Sequence, residues 1–532
     1  MSYTYLLYLL AFLPGVLLVY AIVPQRFRGV VLLLASYAFL IQLSRKLSFF
    51  IVYTTISVFL IGLWLSAAQK RSEARIKAGA DRKTEKRANT RRRRAILWLG
   101  ILSQGGVLFF LKFYDCVASH LNLWTASEVL PVKNLILPLG ISFYTLEAIS
   151  YLVDVYYRKI EAERNIGRMA LFLSFFPIIM EGPICRYGEL ARPLWEGKQL
   201  TYRNLTFGAQ RLLWGLFKKW IIADRLSPLV STLFNHPDGY QGGVMALAGI
   251  LYTLQLYADF SGCIDMTIGT GEMFGLTLPE NFRQPFFAKN PSEFWRRWHI
   301  TLGAWFKDYI FYPLSLTSGI KKLGKSARKK LGKHYGQIAQ TLIPLFAVWL
   351  CNGVWHGTGW TYLFYGMYYF VLIVAGELIE PVVASGTEKL GIDRSRWPWR
   401  ILQTVKMLAI IFTGELFFRA TSMPAGWQMF RSIFTGFGKG GEKNFEGTVT
   451  DLQMGGYLLI RDFRQRINKR GAPYGWPLSI YTTPEALWGY DHISSAYSVD
   501  PAESKTMIYE QVGKNFPDAA PGELDAVLGW TR

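Results

Sequence analysis

Two histidines stand out among the side chains that could do chemistry. His356 lies in Asn352-Gly353-Val354-Trp355-His356-Gly357-Thr358-Gly359-Trp360, between two apolar runs. Glycines at 353, 357 and 359 let a second backbone or a ligand approach closely. Imidazole, with an unperturbed pKa of about 6.5, is the usual general base near neutral pH. In its neutral form it can take the proton of a hydroxyl as that oxygen attacks an acyl thioester. A loop histidine that bonds a helix end fits the local sequence equally well. The other histidine, His299, sits in a stretch rich in Trp, Tyr and Arg, and taken alone it reads as an interfacial packing residue.

Ionisable residues inside apolar runs come next, because a charge at mid-bilayer costs roughly 2.5–3.5 kcal/mol even on the mildest scale. Glu147, Tyr151 and Asp154 are spaced i, i+4, i+7 and form one stripe on a helix. A buried, hydrogen-bonded strut explains that stripe more simply than catalysis does. Glu181 falls at an expected re-entrant turn, and Asp259 and Asp265 flank Ser261-Gly262 at an expected helix break. No Gly-rich nucleotide loop, G-x-S-x-G elbow or H-E-x-x-H motif is present. His299 and His356 lack a third ligand at suitable spacing, so no metal is expected. The four cysteines (116, 185, 263 and 351) are scattered and read as small buried hydrophobes.

The elements that must position these residues are membrane helices. Of 532 residues, 51% are hydrophobic and only 18% charged, against about 25% charged in a typical soluble domain. Apolar runs at 5–23, 47–68, 95–113 and 360–379 reach the roughly 20 residues a helix needs to cross a bilayer. Shorter runs such as 169–180, and runs interrupted by Pro138, Gly140, Pro177, Pro183, Gly262, Gly269 and Gly271, predict re-entrant or half-length helices around a polar cavity. The reading is an all-α polytopic membrane protein with about 10–11 transmembrane or re-entrant helices.

The net charge of +22 is not a nucleic-acid signature, because it is concentrated in short blocks. Residues 70–94 hold twelve Lys and Arg against three acids, directly before an apolar run. By the positive-inside rule the 69–94 segment is a basic cytoplasmic loop, which also attracts lipid headgroups and leaves the N-terminus outside. A second basic stretch covers 321–334. Residues 290–312 read as one amphipathic helix lying at an interface. A membrane domain over 1–435 gives way to a polar tail, 436–532, without a clear spanning helix.

Along the chain, a set of segments resembles the membrane-bound O-acyltransferases. They are Leu137-Pro138-Leu139-Gly140-Ile141-Ser142-Phe143-Tyr144-Thr145, Gly182-Pro183-Ile184 with Arg186, and Tyr257-Ala258-Asp259-Phe260-Ser261-Gly262. They continue through Pro279-Glu280-Asn281-Phe282, Glu293-Phe294-Trp295-Arg296-Arg297-Trp298-His299 and Gly353-Val354-Trp355-His356-Gly357. The match is to the branch holding the alginate O-acetyltransferase membrane subunit and the D-alanyl transfer protein of teichoic acid modification, in family order over residues 1–430. The tail departs from it, since relatives of this length usually end in another apolar span.

The resemblance implies a ring of helices around a thinned centre with a tunnel. It implies no bound cofactor, and a thioester donor (acetyl-CoA or an acyl carrier protein) arriving from the cytoplasm. The acceptor would be a hydroxyl of an exported or cell-surface polysaccharide, reached directly or through an extracytoplasmic acyltransferase partner, at the plasma membrane. By position, His356 matches the catalytic histidine and His299 the supporting one. Asp259, Glu147 and Asp154 would line or brace the tunnel, Trp295 and Arg296 would govern donor access, and Asn352 and Trp355 would support His356. The alternatives are D-alanyl transfer to teichoic acid from a carrier protein, a transporter, or a non-catalytic scaffold.

Overall fold

The computed structural model describes residues 6–43, 48–125, 127–138, 140–237, 239–435, 459–464 and 478–482. A π-helical turn, Tyr8–Phe12, leads into α1 (Leu13–Ile22). Then follow α2 (Gln25–Leu43), α3 (Ser48–Lys77), α4 (Arg82–Thr125), α5 (Ile141–Tyr157), α6 (Ile166–Ser174) and α7 (Tyr187–Glu196). The middle of the chain holds α8 (Tyr202–Leu216), α9 (Asp224–Asn235), α10 (Gly243–Met273), α11 (Pro291–Trp295), α12 (Ile300–Phe306) and α13 (Tyr312–Ser315). It closes with α14 (Ser318–His356), α15 (Trp360–Lys389), α16 (Trp397–Arg419) and α17 (Met423–Thr435). Among the described residues seven helices are long and apolar enough to cross a bilayer: α2, α3, α4, α10, α14, α15 and α16. The protein is a multi-pass, all-α membrane protein.

Its surface is the reverse of a soluble one. Leu10, Ile22, Leu34, Phe49, Leu102, Val371 and Val382 are exposed, while Ser36, Thr55, Gln104, Glu147, Thr253, Asn281 and Glu415 are buried. In hydrocarbon a polar group finds no water, so it is kept inside and given a partner. Ser36, for example, donates to Leu32 O (2.7 Å) and accepts from Phe176 N–H (3.1 Å).

The basic segment at 69–94 is not a loop. α3 and α4 form a helical hairpin whose turn is residues 78–81, so most of the lysines and arginines lie on extended helix ends. Arg93 is turned inward, where its guanidinium donates to the carbonyls of Val155 (3.2 Å) and Tyr156 (2.7 Å) and caps the end of α5. Just beyond, Glu163 ties α5 to α6 and α7. Burial opposes its charge, but hydrogen bonds from Tyr187 Oη (2.6 Å), Asn165 N–H and Arg164 N–H, with the nearby Arg168 guanidinium, hold its carboxyl below the ordinary range. The second basic stretch is also helical. α14 turns back at Gly332, whose φ of +84° only glycine adopts freely. The basic helix before it packs against the start of the spanning part, with Arg328 beside Gly336.

Three further expectations are corrected. The run 169–180 is helical only as far as Ser174, because Pro177 and the turn after it end the helix. Residues 290–312 are not one amphipathic helix but α11, a break at His299, α12 and a π-helical segment, Lys307–Phe311. Gly262, Gly269 and Gly271 do not break α10, which runs unbroken to Met273. They serve close packing instead: a Cβ at Gly215 would lie 2.5 Å from Gly262 O, and one at Gly208 would lie 2.6 Å from Gly269 O. The α8 and α10 backbones meet along this seam, a small-residue contact suited to a medium that offers no hydrophobic drive between helices.

A second compact unit covers Gly436–Arg532. Its described residues are two strands, β1 (Leu459–Arg464) and β2 (Leu478–Thr482), paired antiparallel with an irregularity between Ile460 and Asp462. The rest of the tail, on which the expectation of no spanning helix mostly falls, lies outside the described residues.

The glycine seam predicts a sharp contrast. Gly215→Val should force α8 from α10 at an overpacking cost of about 1–3 kcal/mol, seen as a lower melting temperature in detergent. Gly376→Ala, where nothing lies within 4 Å of the new Cβ, should leave melting unchanged or slightly raised.

Candidate active site

His356 is the last residue of α14, and the geometry around it follows from close helix crossing. α14 and α15 run back to back across the short 357–359 turn. A Cβ at Gly366 would lie 2.4 Å from Trp349 O, one at Gly353 2.8 Å from Tyr362 O, and one at Gly357 2.3 Å from the Tyr362 ring. Larger residues would separate the pair, so these glycines fix where the imidazole sits. The ring is half-buried among Trp355 (centroids 4.9 Å), Phe418 (5.1 Å), Tyr365 (6.2 Å) and Tyr362 (6.4 Å). Neither ring nitrogen has a hydrogen-bond partner among the described residues.

His299 is fully inside, at 3% exposure, and adopts the left-handed region with φ +46°. Histidine tolerates that region better than most residues, and the kink separates α11 from α12. Asn281 holds it there. The Asn281 Oδ1 atom accepts from Thr301 N–H (3.0 Å) and Thr301 Oγ1 (3.0 Å), and lies 3.2 Å from His299 Nδ1. Because Thr301 N–H can only donate, the shared atom is an oxygen, and His299 Nδ1 must carry the proton toward it. Nε2 is then left as a lone pair, buried and without a hydrogen bond among the described residues. The Asn281 main-chain carbonyl accepts from Ile300 N–H (3.0 Å), and Thr301 Oγ1 accepts from Ile184 N–H (3.1 Å). The histidine is thereby tied to the extended 182–186 segment.

Trp355 joins the two histidines. Its ring centroid is 5.8 Å from that of His299 and 4.9 Å from that of His356, with Phe143 at 5.8 Å on another side. Its Nε1–H is buried and has no hydrogen-bond partner among the described residues, as is true of Oδ1 of Asn352, one turn before His356. Native interiors seldom leave so many polar atoms without partners. Here His299 Nε2, Trp355 Nε1 and Asn352 Oδ1 come from two neighbouring segments, a pattern suited to a polar guest that completes the bonding.

The remaining sequence candidates lie elsewhere. Glu147 accepts from Cys185 N–H (3.0 Å), and Asp154 accepts from Tyr309 Oη (2.8 Å) and pairs with Lys159 (3.2 Å). Both brace the 182–186 segment and the Lys307–Phe311 turn against α5. Asp259 pairs with Lys219 (2.8 Å), which also reaches Asp224. Its neighbour Phe260, not Asp259 itself, packs on His299 with centroids 4.8 Å apart. Trp295 packs among Trp349, Tyr365 and Tyr369, whereas Arg296 is exposed. Among the described residues no three His, Cys, Asp or Glu side chains cluster as metal ligands would.

Three residues by the site were given no role in the sequence reading. Asn281 is neutral and gives no signal on its own. Glu415 carried one, as an acid in an apolar span. It is buried at 1% exposure and accepts from Tyr365 Oη (2.7 Å), behind His356. Lys112, near the end of another apolar run, donates from Nζ to the carbonyl of Trp355.

Residues 163–412 match the family described as MBOAT, membrane-bound O-acyltransferase family, and residues 428–529 match one described as AlkZ related. The chain is similar to the probable alginate O-acetylase AlgI of Azotobacter vinelandii, 31% identical over 85% of this chain and 82% of that protein. It is also similar to the peptidoglycan O-acetyltransferase of Helicobacter pylori, 31% identical over 63% of this chain and 64% of that protein. The teichoic acid D-alanyltransferase of Bacillus subtilis is 30% identical over 47% of this chain and 61% of its own length.

Asn281→Ala removes the shared acceptor and strands three buried donors, Thr301 N–H, the Thr301 hydroxyl and His299 Nδ1–H. At about 1–3 kcal/mol each, the loss should lower the melting temperature by several degrees and reduce any activity. An unchanged melting temperature would show that the Asn281 hydrogen bonds do not hold the kink.

Proposed function

The chain belongs to the membrane-bound O-acyltransferase family, and on that premise we propose that it moves an acetyl group from a cytoplasmic thioester to hydroxyls of an exported polysaccharide. The observation that carries the proposal is the pair of imidazoles on either side of Trp355, with lone pairs and polar atoms that have no hydrogen-bond partner among the described residues. The curated relatives that cover most of this chain are named as alginate O-acetylases, which favours acetyl and a polysaccharide.

In this reading His356 is the general base. One ring nitrogen takes the acceptor hydroxyl proton as the oxygen forms its bond to the thioester carbonyl carbon. The tetrahedral intermediate then collapses, the C–S bond breaks, and the imidazolium returns the proton to the leaving sulfur, giving ester and free thiol. His299, fixed as the Nδ1–H tautomer, offers Nε2 as an acceptor that orients a donor or acceptor group. Trp355 separates the two rings and sets their spacing. Asn352 supplies a further polar contact.

Orientation follows from charge. The basic ends of α3 and α4 and the basic first part of α14 belong on the cytoplasmic side. α1, α2 and α3 then place the N-terminus outside. The donor, acetyl-CoA or an acyl carrier protein, approaches from the basic face. The acceptor, whether the polymer or an extracytoplasmic acyltransferase that passes the group on, approaches from the other side of the plasma membrane. D-alanyl transfer is the second reading, supported by the Bacillus subtilis relative over about half of this chain.

Purified in detergent, the wild type should transfer label from a radiolabelled acetyl thioester to a polysaccharide. His356→Ala should lose about 10²–10⁴-fold in rate with its melting temperature intact. Equal rates would remove His356 as the base, and label accepted only from a D-alanyl carrier protein would select the second reading.

A further inference from the structure

Lys112 puts a cation in a membrane-spanning helix, where an ionisable side chain is costly and calls for a partner. It is half-buried, and among the described residues no carboxylate pairs with it. Its Nζ donates to the backbone carbonyl of Trp355, and it stands 6.0 Å from the Trp355 ring centroid. The two residues are 243 apart in sequence, so the contact is a tertiary bridge from α4 to the end of α14.

That carbonyl is special by position. The final carbonyls of a helix have no N–H ahead to receive. At the end of α14 the Gly357 N–H turns back to Gly353 O at 3.4 Å, and the Trp355 oxygen lies beyond it. A lysine at this end meets the negative pole of the helix and satisfies an open acceptor at once. The Trp355 C=O and the His356 N–H belong to one planar peptide group. A bond to that oxygen therefore fixes the plane from which the His356 side chain departs.

We propose that Lys112 is a positioning residue for the acyl transfer, capping α14 from α4 so that the Trp355–His356 peptide, and with it the imidazole, is held in its reactive orientation. The inference rests on His356 being the general base. Lysine suits the task because a single flexible ammonium reaches one carbonyl. Arginine keeps the charge and can donate to the same oxygen, while methionine keeps the stem and loses both.

The test measures kcat and KM for the thioester donor with the full chain in detergent, for wild type, Lys112→Met, Lys112→Arg and His356→Ala, alongside melting temperature. Lys112→Met should lose about 10–100-fold in kcat, the scale on which small misplacement of a reacting group acts. Its KM should stay within about twofold of wild type, and Lys112→Arg should recover most of the rate. If Lys112→Met does not fold, Lys112→Gln, which is too short to reach the carbonyl in the same way, is judged by the same criteria. Wild-type kcat in the methionine variant, a loss confined to KM, or an arginine variant no better than methionine would each overturn the proposal. A His356→Ala variant as active as wild type would instead remove the underlying reading, and the proposal with it.

Discussion

Hydrocarbon offers no hydrogen-bond partner, and that absence shapes this molecule at every level. It drives apolar side chains outward, as with the exposed leucines and valines of α1, α2 and α15, and draws serines, threonines and acids inward. It also decides where the chain can afford to be irregular. The segment between α10 and α14 contains a 3₁₀ turn, three short helices, two left-handed residues (Gln284 and His299) and a π-helical stretch. Such backbone survives at membrane depth only when protein surrounds it. Asn281, Thr301 and the 182–186 segment provide the bonds that lipid cannot. The left-handed His299 is the product of that arrangement, held by three groups converging on one amide oxygen.

The same constraint gives meaning to the polar atoms without partners. Some buried carboxylates and hydroxyls find partners, as Glu147 does on Cys185, Asp154 on Tyr309 and Lys159, and Ser36 on Leu32. Others, such as the hydroxyls of Ser174 and Thr267, have no hydrogen-bond partner among the described residues. What sets Trp355 apart is its company: His299 Nε2, Trp355 Nε1 and Asn352 Oδ1 are all open among the described residues, on or close in sequence to the two histidines. A buried polar atom left open costs about 1–3 kcal/mol. Leaving several open beside the histidines makes sense if a substrate completes them during turnover.

Much of this was legible in the sequence, and what was not has identifiable physical causes. Long apolar runs announce spanning helices because a bilayer sets their length. His356 was singled out by residue type and neighbouring glycines, whereas His299 was singled out only by the family resemblance. Glycine was misread where packing outweighs flexibility. Gly262 and Gly269 looked like breaks in α10, yet they are the sites where another helix comes close. His299 looked like part of a continuous amphipathic helix because periodicity cannot report a single left-handed residue stabilised from Asn281. For Glu147 and Asp154 the sequence leaves a buried strut and tunnel lining both open, because their partners, Cys185 N–H and Tyr309 Oη, lie on distant segments that periodicity cannot bring near. Lys112 and Glu415 were charges in apolar runs whose partners, Trp355 O and Tyr365 Oη, lie on distant segments.

The central claim is that His299 and His356 act as one unit across Trp355. A double-mutant cycle on kcat tests it most directly, using His299→Ala, His356→Ala and the double variant in the same detergent preparation. If the two residues serve one transition state, the double variant should be hardly slower than the worse single variant, as for residues that act as a unit. If the logarithmic losses simply add, the histidines act independently and the paired-site account fails.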